Sequence, residues 1–258
     1  MAQAASPGFP TAVVAWVDLL GYGAAIARAG FDPAHPEAKL AIGRLRRFHR
    51  LVAEHSKRAF PTLVMNDGAV AYRDLSPGDA SVTADFLRDA WRLFAAVNAA
   101  EARDAFPGAR MVIAAGFRMK GRRAGLDADE LRLRALFESV QAGRLSVEQA
   151  LQRAGRLRSA FDIVPPLQAN FAFTKAYVAE QAGSAGGLGG ARCFLDLTLL
   201  GRSRDGLHLG ETITWRHPKL GLAAEFAPLN AEPFVGLGET PPGVRDGRSV
   251  ARALAAKA

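Results

Sequence analysis

Apolar and polar positions along the chain change period several times, and each change marks an element. Val13 to Val17 form an unbroken apolar run that reads as a buried strand, with Gly21 and Gly23 punctuating its end. A short Ala-rich helix is predicted within Gly21 to Gly30. Pro33 and Pro36 separate it from a longer helix over 36–59, where Leu40, Leu45, Phe48, Leu51 and Val52 recur at helical spacing. Two short apolar runs within 61–75 flank Asp67-Gly68 and predict a β-hairpin, because Gly tolerates the positive φ of a tight turn. Ser81 to Ala105 carries Phe86, Leu87, Trp91, Phe94 and Val97 along one helical face, and 111–117 is again an apolar strand. This β-α-β-β-α-β succession predicts an α+β, ferredoxin-like core: a central, mostly antiparallel sheet flanked by helices.

Beyond it, Asp127 to Ala142 and Ser146 to Ala160 read as two helices, the second opened by a capping box of Ser146 and Gln149. They form a helical insertion or dimer arm over 125–160. Pro165-Pro166 precedes a helix at 167–182, and the Gly-rich stretch Gly183 to Gly190 is expected to be a mobile connection. A strand over Arg192 to Leu200 and a hairpin-like pair around Glu211 to Trp215 and Leu222 to Phe226 follow. The organisation predicted is a loose leader over 1–10, a main domain over 11–230 and a Pro/Gly-rich surface tail over 231–258 that ends in a short helix.

Composition narrows the classes. With 49% apolar and 22% charged residues the chain has globular composition, and 258 residues suffice for a sizeable core. The net charge of +8 favours anionic partners, but the basic residues are scattered without interleaved aromatics, so no nucleic-acid groove is expected. Arg44, Arg46, Arg47, Arg50, Lys57 and Arg58 on the second helix read as a solvated face or as phosphate contacts. A single cysteine, Cys193, excludes an intramolecular disulfide; it reads as a small buried hydrophobe, and the five histidines show no zinc spacing. No run approaches the ~18 apolar residues that a spanning helix needs, so no membrane partner is expected and a cytoplasmic location is.

Two carboxylates carry the candidate chemistry. Asp18 ends an otherwise apolar strand, where an unpaired charge would be costly; a cation, an arginine or a helix start would satisfy it, and a cap or strand-end salt bridge is the plainer alternative. Asp67 belongs either to a simple turn or to a second ligand. Together they are hard oxygen donors suited to one or two Mg²⁺ or Mn²⁺ ions.

The segment Asp18-Leu19-Leu20-Gly21-Tyr22 resembles the first metal motif of class III nucleotidyl cyclases, and the hairpin Asn66-Asp67-Gly68-Ala69-Val70-Ala71 resembles their second. Over roughly residues 11 to 200 the order of pieces is similar to the pyrimidine (uridylate or cytidylate) cyclases of bacterial anti-phage signalling. The pattern Ala172-Phe173-Thr174-Lys175-Ala176-Tyr177-Val178-Ala179-Glu180 is similar to these relatives too. The resemblance implies a class III cyclase catalytic fold working as a homodimer. UTP would be converted to 3′,5′-cyclic UMP and pyrophosphate, with a separate cyclic-nucleotide-responsive effector protein downstream. It also implies two divalent ions on Asp18, Asp67 and the Leu19 backbone carbonyl, with the amides of Leu20, Gly21, Tyr22 and Gly23 toward the phosphates.

Departures from the family pattern leave alternatives open. Leu63 stands where purine cyclases carry a base-reading Lys or Glu, which implies a pyrimidine or a different reader; Asp162 resembles the second base-reading carboxylate. The family's ribose-holding Asn and transition-state Arg fall on Asn170 and Thr174 in one register and on Thr174 and Val178 in another, and neither supplies an Arg. Lys175, placed with Asn170 and Thr174 at the substrate, lies about 140° around the helix from Asn170 and is no simple replacement. Arg118, Lys120 or Arg122 could supply that cation across a dimer interface. CTP, ATP or GTP as substrate, and a catalytically silent nucleotide-binding module, remain the other readings.

Overall fold

The structure, a computed structural model, describes residues 9–120, 128–157, 163–217, 219–238 and 241–256. They fall into two compact units: one holds the chain up to Arg118 together with Asn170 onward, and the other is Met119–Ala169.

In the first unit the order is β1 (Thr11–Leu19), α1 (Tyr22–Arg28), α2 (Pro36–His55), β2 (Thr62–Met65), β3 (Gly68–Asp74), α3 (Ser81–Arg103) and β4 (Ala109–Phe117). These strands lie in the order β2-β3-β1-β4, and β1 runs antiparallel to both of its neighbours. That is the arrangement expected of a ferredoxin-like core. Three further strands widen the sheet to seven. After α4 (Ala128–Gln141) and α5 (Val147–Arg156) of the second unit and then α6 (Phe171–Ala182), they are β5 (Cys193–Asp196), β6 (Ile213–Arg216) and β7 (Ala223–Leu229). β5 joins β4 in parallel, and β7 and β6 extend the edge antiparallel.

β1 is apolar nearly throughout because it is paired on both edges and covered on both faces. Val13, Ala15, Val17 and Leu19 point into the core with Phe48 and Val52 of α2 and Phe86 and Leu87 of α3. The alternate residues face α6, where Trp16 packs edge-on against Phe173 and Tyr177 with centroids 6.0 and 5.2 Å away. α6 presents Ala172, Ala176 and Ala179, all fully buried, and approaches β4 so closely that a Cβ on Gly116 would stand 2.3 Å from the Ala172 nitrogen. Small side chains on both surfaces permit this contact.

The ends of elements shift where capping chemistry decides. The helix expected over 167–182 begins at Phe171, because the Asn170 side chain accepts the Phe173 N–H and Pro165–Leu167 forms a separate 3₁₀ turn. Gly183 to Gly190, expected as a mobile connection, holds a 3₁₀ turn over Gly183–Gly186 and the fully buried Leu188. Residues 231–258, expected as a surface tail, contribute Phe234 and Val250 to the core, and a C-terminal helix α7 (Gly247–Ala255) takes the Thr11 hydroxyl on its Gly247 carbonyl.

In the second unit α4 and α5 form a helical hairpin, with the Ser146/Gln149 capping box as expected. Leu133, Phe137 and Val140 face Val147 and Leu151 across an apolar groove. Among the described residues no helix is long and apolar enough to cross a membrane.

Candidate active site

Three chain segments meet where β1 ends. Asp18 is in register with Gly68 at the start of β3 and with Arg110 near the start of β4. The Leu19 N–H donates to the Asp67 carbonyl (3.0 Å), so the β2–β3 turn is fastened to the last residue of β1. The two carboxylates are close enough for the Asp67 charge to raise the pKa of Asp18.

The turn itself differs from the sequence expectation. Its central residues are Asn66 and Asp67, and Asn66, not Gly68, takes the positive φ of 56°. Gly68 belongs to the strand, and what it supplies is space. A Cβ there would stand 2.5 Å from the Trp16 ring and 3.2 Å from Asp18 Oδ1. Gly68→Ala is expected to lower stability by about 1–3 kcal/mol through this overpacking and to displace Asp18, measurable as a lower denaturation midpoint together with weaker cation binding. Asn66 Nδ2 donates to Asp67 Oδ1 (3.0 Å), and the His49 ring meets the Asn66 carbonyl (2.8 Å), which ties the turn to α2.

Two residues to which the sequence assigned no site role, Glu180 at the end of the 172–180 pattern and Arg110, complete this corner. Glu180 of α6 is buried and ion-paired with Arg110 (3.1 Å); Arg110 also donates to the Glu180 and Gly190 carbonyls. The buried Trp16 indole N–H lies close enough to Glu180 to favour its charged form, but makes no hydrogen bond of ordinary geometry. Burial raises the pKa of the Glu180 carboxyl, with Arg110 opposing. Asp18 is pushed up to about 7, first by burial, then by Glu180 and Asp67, against the pull of Arg110 and Arg44. The Tyr22 hydroxyl is raised likewise by burial and by Asp67. Hence three carboxylates, Asp18, Asp67 and Glu180, lie within electrostatic reach of one another, opposed by Arg110 and Arg44.

That donor set fits a divalent cation. Asp18 and Asp67 supply hard oxygens at one end of the sheet. Among the described residues no cluster of three or more His, Cys, Asp or Glu forms a complete metal cage. A bound Mg²⁺ or Mn²⁺ would therefore draw its remaining ligands from water or substrate oxygens, as is usual for Mg²⁺.

The other expected site residues are placed as follows. The Leu20 N–H donates to the Gly108 carbonyl (2.9 Å), so it is not free for a phosphate, contrary to expectation. Gly21, with φ 75°, turns the chain into α1; Gly21 and Gly23 are exposed, while Tyr22 is buried near Asp67. Leu63 is half-buried on β2 opposite Val70. Asn170 is buried, and its side chain is used as the cap of α6; Thr174 is exposed, with its hydroxyl on the Asn170 carbonyl (3.4 Å). Lys175, expected at the substrate, reaches instead to the Ala115 carbonyl (2.6 Å) and the fully buried Asp196 (2.8 Å). Burial would raise the Asp196 carboxyl, but Lys175 and Thr198 outweigh it and hold it below the usual range. Arg118 forms a bidentate pair with Asp74. Asp162 and Arg122 lie outside the described residues.

No protein-family model and no curated protein matches the chain. Among solved structures it is similar to the guanylyl cyclase Cya2, with 13% identity over 91% of this chain and 96% of that one and a TM-score of 0.47. Similarity also extends to the adenylyl cyclase CyaB from P. aeruginosa (9%, 86% and 94%, 0.44). A further match is the guanylate cyclase domain of RhGC from Catenaria anguillulae, in complex with GTP (7%, 87% and 98%, 0.46). At such identities and scores these likenesses assign no role to any residue of this chain.

Proposed function

We propose that this chain is a nucleotidyl cyclase acting on a nucleoside triphosphate, with UTP as the preferred substrate, 3′,5′-cyclic UMP and pyrophosphate as products, and a homodimer as the working form. The observation that carries the reading is the junction of β1 with the β2–β3 turn, where Asp18 and Asp67 fall within electrostatic reach of each other. In the reaction the ribose 3′-oxygen forms a bond to the α-phosphorus, the bridge to the β-phosphate breaks, and the hydroxyl proton is released. When bound, divalent cations supply Lewis-acid activation of the 3′-hydroxyl and charge neutralisation along the triphosphate.

The chain's own residues hold and orient. Asp18 and Asp67 fix the cations, with the Leu19 carbonyl as a further ligand. Arg110 and Glu180 keep the inner wall of the corner in place, and the His49 and Asn66 bonds hold the turn that carries Asp67. The preference for a pyrimidine rests on Leu63, whose apolar side chain cannot pair with a purine edge. A role in anti-phage signalling through a separate effector belongs to the same proposal and rests on the sequence resemblance.

A second reading, a catalytically silent nucleotide-binding module, is favoured by one observation: Lys175 is consumed by Asp196 and Arg118 by Asp74. Incubating the purified protein with each of the four NTPs and Mn²⁺, and resolving products by chromatography, separates the readings. Cyclic UMP as the main product supports the first, a different cyclic nucleotide revises the base, and binding without any cyclic product leaves the silent module.

A further inference from the structure

A second polar groove lies on the opposite face of the sheet. Arg73 is in register with Val13, so it shares the face covered by α2 and α3, whereas Asp18 points toward α6. Arg73 lies five positions along β3 from Gly68, about 17 Å of strand. Arg73 lines a groove of about 250 Å³ whose walls are Lys57, beyond the end of α2, and the α3 residues Asp85, Arg88, Asp89 and Arg92.

Four cationic side chains face two carboxylates there. The carboxylates are already engaged, Asp89 by Lys57 (2.8 Å) and Asp85 by Arg88 (3.1 Å). Arg88 also donates to the Gly238 carbonyl (2.9 Å), and Arg92 reaches Glu232 (3.0 Å). Asp79 is close enough to feel Arg73, but its carboxylate is bonded to Ser81. Arg73 differs from the rest, since its Nη1 is buried and has no hydrogen-bond partner. Arg73 thus lines the groove with no acceptor on that nitrogen, and an anionic oxygen placed among Arg73, Lys57 and Arg92 would give its guanidinium group the counter-charge it lacks.

We infer that this groove binds the phosphate group of a small phosphate monoester. Guanidinium groups match tetrahedral oxyanions by paired N–H donors, and the groove has room for a phosphate with a small organic remainder. The site is separate from the acidic corner and requires no metal.

The test is calorimetric titration of the full chain with inorganic phosphate and with ribose 5-phosphate, in EDTA and at constant ionic strength. Saturable binding of both, tighter for the monoester, is expected. Arg73→Gln and Arg92→Gln should each weaken it by about tenfold or more. Asp67→Asn should leave it unchanged. Because the Arg92 side chain is largely exposed, that variant reports even if Arg73→Gln folds poorly. Absence of binding, binding untouched by Arg92→Gln, or binding that appears only with Mn²⁺ and vanishes in Asp67→Asn would each overturn the inference.

Discussion

Asp18→Asn is expected to abolish cyclic-nucleotide formation while raising the melting temperature of the cation-free protein at pH 8 by a few degrees. The opposite signs follow from one cause. Burial and two neighbouring carboxylates push Asp18 up to about 7, so the fold favours its protonated form. A carboxyl raised in this way stabilises the fold fully below its unfolded pKa of about 4, and that contribution is lost as pH rises through about 7. The wild-type protein should therefore lose stability relative to Asp18→Asn between pH 4 and pH 7, with no further divergence above that window. The shift corresponds to at most about 4 kcal/mol, and residual solvation of this part-exposed group brings it to about 1–2 kcal/mol, hence a few degrees in a chain of this size. Added Mn²⁺ should restore the wild-type melting temperature at pH 8 and leave Asp18→Asn unmoved. Thermal melts across pH, with and without Mn²⁺, check all of this. A wild-type protein whose stability relative to Asp18→Asn is flat from pH 4 to pH 8 would show that Asp18 titrates normally.

Lys175→Ala should cost stability and not substrate affinity. Asp196 is fully buried, and besides Lys175 it accepts the N–H groups of Ala115 (3.2 Å) and Thr198 (2.8 Å). Removing the ammonium strands a carboxylate between β4 and β5, a change that typically costs about 3–5 kcal/mol. The expected result is a large drop in denaturation midpoint, with KM for the nucleotide unchanged in the folded protein. Lys175→Ala/Asp196→Asn should recover much of the loss, because the uncompensated charge is gone. An unaltered midpoint with KM raised tenfold or more would return Lys175 to the substrate.

The contrast between Asp18 and Lys175 shows where sequence pattern reaches and where it stops. Periodicity exposed β1, the hairpin, α2, α3 and β4, because each buries one face or both and the apolar spacing is a direct record of that burial. Their succession was enough to anticipate a ferredoxin-like, mostly antiparallel sheet, which the structure realises in the order β2-β3-β1-β4. Asp18 and Asp67 stood out because a carboxylate beside an apolar run is locally conspicuous. Lys175 did not betray its partner, since Asp196 lies across the sheet and only the parallel β4–β5 register brings it within reach. Glu180, although it closes the 172–180 pattern, and Arg110 were given no site role for the same reason: the pair exists only because α6 lies on β4. Asn66 and Gly68 exchanged roles in the turn, since either residue type tolerates positive φ and the ring of Trp16, distant in sequence, decides which position must lack a side chain. Asn170 was expected to face a ribose but is spent on a helix cap, a role that its residue type fits equally well.

The most direct test of the central claim is Mn²⁺ binding measured by electron paramagnetic resonance in the presence of a non-cyclisable UTP analogue. Wild-type protein should bind the ion saturably in the nucleotide complex, and Asp18→Asn and Asp67→Asn should each lose that binding together with cyclic UMP synthesis. Binding of the same strength in wild type and both variants would contradict the account, because the cations would then be held elsewhere.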